Sequence, residues 1–384
     1  MRSPLYYFFY YYNRKDVKLQ VIFILIVTLL IYAGLVFYVA WSGYRGIGIK
    51  GNRWFLIAYS IIMLFLSVSF ILARFGSGST LLAVIGNYWL ALFSLSLMIL
   101  PLVHLIMLIL RLTSLHREKT RVAAARIAFV VLVAALAYGS YMAYTPKVNT
   151  YTIDIDKSYP EDLNVVMFSD THFGYLSGKK HAERLVKEVN ELEPDLIIIP
   201  GDIIDDDLEI VEKKQIFNIL GGLEARLGVY GSLGNHDKFR GELSELITAI
   251  ETANIEILYD ETVTIEGGLA LIGRKDYSEG ERLATEQLTS QLDQSLPIIL
   301  LDHQPYEYDE AEQAGVDLVV SGHTHRGQVM PGNLITNRLF ENDWGYLKKG
   351  QLHTIVSSGY GFWGPPIRIG TQSEIVQIHI NFNN

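Results

Sequence analysis

The first part of the chain contains four apolar runs, each long enough to cross a lipid bilayer as a helix. A bilayer core about 30 Å thick needs roughly 20 apolar residues at a helical rise of about 1.5 Å each. The four runs cover residues 19–41, 54–73, 81–110 and 124–144. Runs of this length are difficult to bury inside a soluble helical protein. We therefore predict a multi-pass membrane domain over residues 1–145, in the cell membrane.

The distribution of charge divides the chain near the same point. Residues 1–150 contain 14 Lys and Arg residues and 2 acidic residues, a net charge of +12. Residues 151–384 contain 18 Lys and Arg residues and 39 Asp and Glu residues, a net charge of −21. A domain this acidic repels polyanions, so we expect no nucleic-acid partner. Cysteine is absent from the sequence, which excludes disulfides, thiolate metal sites and a cysteine nucleophile.

Positive charge in the connections between the runs predicts the side of the membrane. Four spans place the N-terminus and the acidic domain on the same side. The first and third connections carry eight Lys and Arg residues, whereas the N-terminal segment and the second connection carry five. The positive-inside rule therefore predicts that the acidic domain faces away from the cytoplasm. The N-terminal segment alone favours the opposite side, because Arg14, Lys15 and Lys18 flank the first run.

Two features of the membrane part have simple explanations. Tyr6–Tyr12 contains five Tyr and two Phe residues, and we interpret it as an aromatic interfacial segment rather than an interaction motif. His104 lies inside the third run, where an ionisable group is often functional. None of the four runs contains Asp or Glu to pair with it. We therefore interpret His104 as a neutral, hydrogen-bonded residue and predict no transport pathway.

The acidic part contains short apolar runs that stop abruptly at polar residues. Five such runs end at Asp170, at Gly201-Asp202, at Gly234-Asn235-His236, at Asp302-His303 and at Gly322-His323. Each run is long enough for a buried strand, and helical stretches such as residues 181–192 lie between some of them. Open α/β sheets build their sites from residues just past the carboxyl ends of strands. The pattern predicts an α/β domain over residues 150–384 with one site at the strand ends.

The polar residues at these strand ends are suited to metal binding. The set comprises Asp170, His172, Asp202, Asn235, His236, His303, His323 and His325. Imidazole and carboxylate groups without thiolate favour Mn, Fe, Zn, Ni or Co. The set is too large for one ion, and two divalent ions that share a bridging carboxylate would accommodate it. Two ions about 3.5–4 Å apart are suited to in-line displacement at phosphorus.

At these residues the chain resembles the calcineurin-like metallophosphoesterases, in particular their membrane-associated YkuE- and YaeI-like branch. The family motifs match at Asp170-Thr171-His172, Gly201-Asp202, Gly234-Asn235-His236-Asp237, His303 and Gly322-His323-Thr324-His325, in family order. The branch is indicated by Asp302-His303-Gln304-Pro305, by Gly327-Gln328 and by the loop Gly359–Gly364. The resemblance covers roughly residues 150–384. It implies a four-layer α/β/β/α sandwich that holds two divalent metal ions.

The resemblance also implies a role for each matching residue. One ion would be held by Asp170, His172, Asp202 and His325, and the other by Asp202, Asn235, His303 and His323, with Asp202 bridging. His236 and Asn235 would be the catalytic residues that assist at the phosphate. The two ions would lower the pKa of a bridging water, and the resulting hydroxide would attack phosphorus. The chain departs from the branch at Arg326, where glycine is expected, and this puts the shape of the substrate mouth in question.

These features predict a metal-dependent phosphoric ester hydrolase anchored in the lipid bilayer. We expect its substrate to be a phosphoester that is lipid-linked or close to the membrane. Two alternatives remain open: a pyrophosphatase acting on a nucleotide-linked lipid precursor, and a membrane protein that binds phosphorylated ligands without turnover. The complete set of Asp202, Asn235 and His236 favours an enzyme.

Several other polar residues have ordinary interpretations. Asp237 either orients the neighbouring histidine or caps the following turn. We interpret Asp205–Asp207 as a solvated acidic turn rather than a further cation site. Arg274 and Arg326 are interpreted as surface ion-pair residues rather than phosphate contacts. The glycine–aromatic loop 359–366 either lines the pocket or simply turns. The remaining candidates are interpreted as ordinary polar residues: His181, His353 and His379.

Overall fold

A computed structural model describes residues 15–49, 51–75, 79–112, 117–205, 208–238 and 243–383. The chain divides into two compact units, with the boundary between Tyr138 and Gly139. This division precedes the expected boundary at residues 145–150 by about two to three helical turns. The aromatic segment Tyr6–Tyr12, together with Asp206 and Asp207, lies outside the described residues.

The first unit is helical. Its helices are α1 (Lys15–Ile47), α2 (Arg53–Phe75), α3 (Thr80–Leu110) and most of α4 (Arg117–Tyr144). All four are long and apolar enough to cross a membrane, which confirms the four predicted apolar helices. Helix α3 continues through Pro101. The Tyr38 hydroxyl on α1 lies 2.8 Å from Nδ1 of His104, so this histidine is hydrogen-bonded within the helices as predicted.

The second unit contains two six-stranded sheets. Its strands are β1 (Lys147–Ile155), β2 (Leu163–Met167), β3 (Leu196–Pro200), β4 (Val229–Ser232), β5 (Ile255–Ile257), β6 (Glu261–Ile265), β7 (Leu269–Gly273), β8 (Ile298–Leu301), β9 (Leu318–Ser321), β10 (Gly345–Lys349), β11 (Leu352–Val356) and β12 (Glu374–Phe382). The first sheet has the order β1-β12-β2-β3-β4-β5, and the second has the order β10-β11-β9-β8-β7-β6. Both sheets mix parallel and antiparallel pairs.

Helices also form part of the second unit. They are α5 (Lys179–Asn190), α6 (Leu208–Lys213), α7 (Ile216–Leu220), α8 (Leu243–Glu251), α9 (Thr285–Thr289), α10 (Tyr308–Gln313) and α11 (Gly332–Leu339). One apolar core lies between the sheets and includes Val165, Ile198 and Ile299. Helices α5, α7 and α8 pack on the outer face of the first sheet, and α9 and α10 pack on that of the second. The four-layer α/β/β/α fold is thereby confirmed.

The strand directions bring the predicted site residues to one edge of each sheet. Strands β2, β3 and β4 are mutually parallel, as are β8 and β9. The carboxyl ends of parallel strands meet at the same edge, where open α/β sheets place their sites. The two edges meet where Nδ1 of His303, just after β8, lies 2.8 Å from the Pro200 carbonyl at the end of β3. The site therefore lies between the two sheets.

Candidate metal centre

Five of the predicted ligand residues have an unusual backbone conformation. Asp170, His172, Asp202, His323 and His325 have φ angles of 51°, 44°, 53°, 69° and 47°. Residues other than glycine adopt this left-handed region rarely, at a cost on the order of 1 kcal/mol each. Each residue lies two to five positions after the end of a buried strand. Backbone strain concentrated in this way is typical of a functional site.

Two glycines allow the loops after β3 and β4 to approach one another. A Cβ atom on Gly234 would lie 2.1 Å from Oδ1 of Asp202. Gly201 has a φ angle of +81°, and a Cβ atom there would lie 2.7 Å from Nδ1 of His303. Any side chain at either position would push a ligand residue away. The glycines of these two motifs are therefore required by the close contact of the loops.

The first group of donor atoms comes from Asp170, His172 and His325. These atoms lie within 4.8 Å of one another, and all three side chains are buried. Nε2 of His172 lies 3.1 Å from Nε2 of His325, and the latter nitrogen lies 3.5 Å from Oδ1 of Asp170. Two imidazole nitrogens this close require a proton or a cation between their lone pairs. The group therefore fits a metal ion.

The second group comes from Asp202, His303 and His323, whose donor atoms also lie within 4.8 Å of one another. The Nδ1–H of His303 donates to the Pro200 carbonyl, so a ring that gives up its second proton has its lone pair on Nε2. This buried Nε2 makes no hydrogen bond and lies 3.1 Å from Oδ2 of Asp202. Oδ1 of Asn235 lies 3.0 Å from Nδ1 of His323. A nitrogen lone pair next to a carboxylate provides two donor atoms that would bind a cation more strongly than a neutral group.

Asp202 lies between the two groups. Its Oδ2 is 3.8 Å from Nε2 of His172 in the first group and 3.1 Å from Nε2 of His303 in the second. Its Oδ1 accepts a hydrogen bond from the backbone N–H of His236 at 2.8 Å. All seven residues predicted as ligands are thus brought together around one carboxylate.

The carboxylates control the protonation of the imidazoles. Burial opposes the charging of His172, but Asp205 and Asp202 outweigh it and raise the pKa of His172 to about 9. Burial also opposes the charging of His303, and Asp202 raises the pKa of His303 to about 10. Burial, aided by His303, lowers the pKa of His323 to about 4. The excess of negative charge therefore attracts cations, and a divalent ion would compete with protons for these nitrogens.

Asp205 lies in the site, and its interpretation as part of a solvated acidic turn was wrong. Its Oδ1 is 3.3 Å from Nδ1 of His172 and 3.3 Å from Nδ1 of His236. Burial would raise the pKa of the Asp205 carboxyl, but the two imidazoles lower it well below its ordinary value. The backbone N–H of Asp205 donates to the Phe173 carbonyl at 3.0 Å, beside the bridge between Phe173 and Ile204, and this draws the turn inward. In the sequence, the one feature that indicated a place in the site is that Asp205 lies three residues after Asp202.

The Asp237 carboxylate has neither of the roles considered from the sequence. It accepts hydrogen bonds from the backbone N–H groups of Gly234, Asp202, Ile203 and Ile204, at 2.8 to 3.0 Å. It therefore ties the loop after β3 to the loop after β4. This fixes the position of the proposed bridging carboxylate.

The two arginines considered as surface ion-pair residues differ from each other. Arg274 does form ion pairs, with Asp302 at 3.3 Å and Glu307 at 2.9 Å. It is only 2% exposed, however, so the pairs are buried and hold the loop after β8. The guanidinium of Arg326 lies 3.8 Å from the centre of the Trp344 ring, a cation–π contact. Neither contact involves a proposed metal ligand.

Arg368 supports the centre from behind and was missed in the sequence. Its fully buried guanidinium donates to the carbonyls of Ser358 and Gly361, both at 2.6 Å. The same Nη2 lies 3.1 Å from Nδ1 of His325. The backbone N–H of Gly361 donates to the Asp170 carbonyl at 2.9 Å. The glycine–aromatic loop therefore packs directly behind two proposed ligands, although no local pattern marks this arginine.

The fold and this centre define a metal-binding α/β domain of the metallophosphoesterase type. The family model described as calcineurin-like phosphoesterase matches residues 163–327. A metallophosphoesterase of Aquifex aeolicus is 33% identical over 256 residues, covering 64% of this chain and 95% of the relative. The chain belongs to the calcineurin-like phosphoesterase family, whose members are metal-dependent.

Two further relatives contain sequence beyond the matched region. A metallophosphoesterase of Helicobacter pylori is 33% identical over 241 residues, covering 61% of this chain and 64% of the relative. A Bos taurus protein named transmembrane protein with metallophosphoesterase domain is 30% identical over 284 residues, covering 68% of this chain and 64% of the relative. The chain therefore spans slightly less than two thirds of each of these two relatives.

Proposed function

We propose that this protein is a membrane-anchored phosphoesterase with a dinuclear metal centre. One observation carries the proposal: a single oxygen of Asp202 faces a donor group on each side, at 3.8 Å from His172 and 3.1 Å from His303. A carboxylate in this position is suited to bridging two ions. The ions would be two divalent cations such as Mn, Fe, Zn, Ni or Co, which the imidazole and carboxylate donors favour.

We propose the following ligands. The first ion is held by Asp170, His172, Asp202 and His325, and the second by Asp202, Asn235, His303 and His323. When bound, two divalent ions would supply positive charge for the phosphoryl oxygens and would lower the pKa of water enough to provide a nucleophile near neutral pH. The protein holds the donors in place through the buried hydrogen bonds of Asp237 and Arg368.

We propose that His236 and Asn235 act on the substrate. His236 lies outside the first and second donor groups, and its Nδ1 faces Asp205 at 3.3 Å, which directs Nε2 away from that carboxylate. It is therefore suited to hold the phosphate or to protonate the leaving oxygen. Oδ1 of Asn235 faces His323, so the amide N–H groups point elsewhere and are suited to a phosphoryl oxygen.

The proposed substrate is a phosphoester that is lipid-linked or membrane-proximal. Residues 1–145 are proposed as the membrane domain and residues 150–384 as the metallophosphoesterase domain. Four membrane spans confine the catalytic domain to the bilayer surface, where lipid headgroups are the most abundant phosphoesters. The charge of the connections supports a catalytic domain that faces away from the cytoplasm.

The proposal is tested with the purified full chain in detergent. The protein is stripped of metal and reloaded separately with Mn, Fe, Zn, Ni or Co, and ions are counted by mass spectrometry. Turnover is then measured with phosphomonoesters, phosphodiesters and lipid pyrophosphates. We expect about two ions per chain and hydrolysis of at least one class. A protein that binds no ion contradicts the proposed centre, and one that binds two ions but hydrolyses nothing contradicts the proposed activity.

The variant His236→Ala tests the proposed role of this histidine. We expect turnover to fall by roughly 10²- to 10⁴-fold, because a positioned acid or base contributes about that much. Metal content should remain at the wild-type level. If His236 protonates the leaving oxygen, the loss will be larger for an alkyl ester than for a p-nitrophenyl ester, whose leaving group needs no proton. Loss of an ion in this variant would instead make His236 a ligand.

A further inference from the structure

Helix α11 presents apolar side chains to the outside of the catalytic domain. Leu334, Ile335 and Leu339 are 68%, 61% and 65% exposed. The polar Thr336 faces inward, where its hydroxyl donates to Oδ2 of Asp343 at 2.7 Å. This arrangement is the reverse of a helix at a water-exposed surface, whose apolar residues face the core. An exposed apolar face of this kind marks contact with a partner or a membrane.

The same helix lies directly beside the proposed metal centre. It begins against the ligand loop, since a Cβ atom on Gly327 would lie 2.1 Å from the carbonyl carbon of Gly332. Just past its other end, the ring of Phe340 lies 6.1 Å from the ring of His323. The exposed apolar residues therefore flank the loop that carries two proposed ligands.

A short ladder of backbone hydrogen bonds connects this region to the end of helix α4. The N–H of Met330 donates to the Ile369 carbonyl at 2.8 Å, and the N–H of Arg368 donates to the Gly139 carbonyl at 2.9 Å. Gly139 lies within the last two turns of α4, which belong to the same compact unit as α11. Helix α4 is a candidate membrane span, and the end of a span lies at the membrane surface. Backbone hydrogen bonds therefore connect the segment just before α11 to the last turns of a candidate membrane span.

An exposed tryptophan also lies beside the centre. Trp363 is 55% exposed, and its ring lies 5.9 Å from the ring of His236. Gln328, in the ligand loop, holds it by accepting its backbone N–H at 2.9 Å. Tryptophan is enriched at the membrane–water interface. Apolar side chains therefore lie near two residues of the site, His236 and His323.

We propose that α11, together with Met330 and Trp363, is a membrane-contacting surface. It rests on the bilayer in which the protein is anchored, and it allows a lipid phosphoester to bring its headgroup to the metal centre while its hydrocarbon chains stay in apolar surroundings. This inference rests on the proposed phosphoesterase function and narrows its substrate class to amphiphiles with a phosphoester headgroup. The positive charge of Arg338 on the exposed face of α11 suits an anionic headgroup region.

The surface is tested first by fluorescence quenching, because the natural chain has no cysteine. Ile335→Cys in the full chain is labelled with bimane and reconstituted into phosphatidylcholine–phosphatidylglycerol vesicles that contain nitroxide-labelled lipid. The control is Glu256→Cys on β5, at the opposite edge of the first sheet from β1 and exposed. That edge lies five strand spacings, about 24 Å, from β1. We expect at least twofold quenching at position 335 and little at position 256.

Equal quenching at the two positions would overturn the proposed surface. So would efficient disulfide cross-linking of Ile335→Cys between two copies with no quenching, since the face would then be a dimer contact. Wild-type metal content in both variants verifies that the labelled proteins are folded. The readout needs no turnover, so a protein that hydrolyses nothing while position 335 is quenched would contradict only the proposed function.

A second measurement addresses the lipid substrate. Hydrolysis of dioleoyl phosphatidate in vesicles is compared with hydrolysis of glycerol 3-phosphate, which has the same type of ester without the chains. In the double variant Leu334→Glu/Leu339→Glu we expect the ratio of the two rates to fall about tenfold, through a higher KM for the vesicle substrate. An unchanged ratio would overturn the role of α11 in admitting a lipid.

Discussion

Oδ1 of Asp205 lies 3.3 Å from Nδ1 of His236, the same distance that separates it from Nδ1 of His172. One carboxylate therefore orients both a proposed metal ligand and the residue proposed to act at the phosphate. A carboxylate bound to Nδ1–H fixes the tautomer and directs Nε2 towards the centre. Asp205 therefore lies between a residue proposed to bind metal and the residue proposed to transfer a proton.

The variant Asp205→Asn should retain the fold and lose part of the activity. The amide preserves the shape of the side chain but removes the charge that holds both imidazoles. We expect turnover or metal affinity to fall about 10- to 100-fold, the usual effect of removing a partner of a ligand histidine. The pH–rate profile should also shift, because Asp205 raises the pKa of His172 and the amide removes this negative neighbour. A profile identical to the wild type, with only a lower rate, would indicate a purely structural role.

Asp202→Asn should have a much larger effect. The amide cannot supply a charged oxygen to both donor groups, so we expect loss of at least one ion and a fall in turnover of at least about 10³-fold. The matched control is Asp293→Asn, in an exposed turn where the carboxylate only accepts bonds from Ser295. Metal content and turnover are measured together for both variants. Similar values for the two would contradict a bridging role for Asp202.

Much of the site could be predicted because its residues directly follow buried strands. The five apolar runs became β2, β3, β4, β8 and β9, and parallel pairing alone brings their ends together within each sheet. The order of the strands could not be predicted in the same way. Strand β12, at the end of the chain, lies between β1 and β2, and such a pairing depends on contacts across more than 200 residues rather than on local pattern.

The roles of Asp205 and Arg368 could not be predicted from the sequence, and the physical reason is the same for both. Asp205 has the composition of a solvated turn, and only the pairing of Phe173 with Ile204 draws it into the centre. Arg368 follows an ordinary proline-containing segment, and its burial depends on carbonyls from residues 358–361. In both cases the environment comes from distant parts of the chain, which a local sequence pattern does not record.

Protonation of His181 should make the stability of the domain depend on pH. This histidine is 7% exposed and packs against the ring of Tyr360. Burial, assisted by the positive charge of Arg184 and Arg368, lowers the pKa of His181 from 6.5 to about 4. Between these values the unfolded chain binds a proton that the folded chain does not. The free energy of unfolding should therefore decrease as pH falls from 6.5 towards 4, by up to about 1.4 kcal/mol per pH unit from this residue.

The contribution of His181 is isolated with the variant His181→Gln, which carries no charge at any pH. Urea unfolding of the full chain in detergent, followed by pulse proteolysis of the catalytic domain, is compared with the wild type at pH 7, 6 and 5 under the same metal conditions. We expect a smaller slope of unfolding free energy against pH in the variant, whatever its stability at pH 7. Equal slopes in the variant and the wild type would show that His181 has the same pKa in the folded and the unfolded chain.

The charge of the connections between the spans predicts the side of the membrane on which the catalytic domain lies. The first and third connections carry eight positive residues against five on the other side, and the third connection is the most basic. It is also short enough for the positive-inside rule to apply, so we expect the catalytic domain outside the cytoplasm. Single cysteines at Glu256 in the catalytic domain and at Leu112 after α3 are treated with a membrane-impermeant maleimide in intact spheroplasts. Position 256 should react at once, and position 112, which is 89% exposed, should react only after lysis. The reverse pattern would place the domain in the cytoplasm and make a lipid precursor of the inner leaflet the better substrate class.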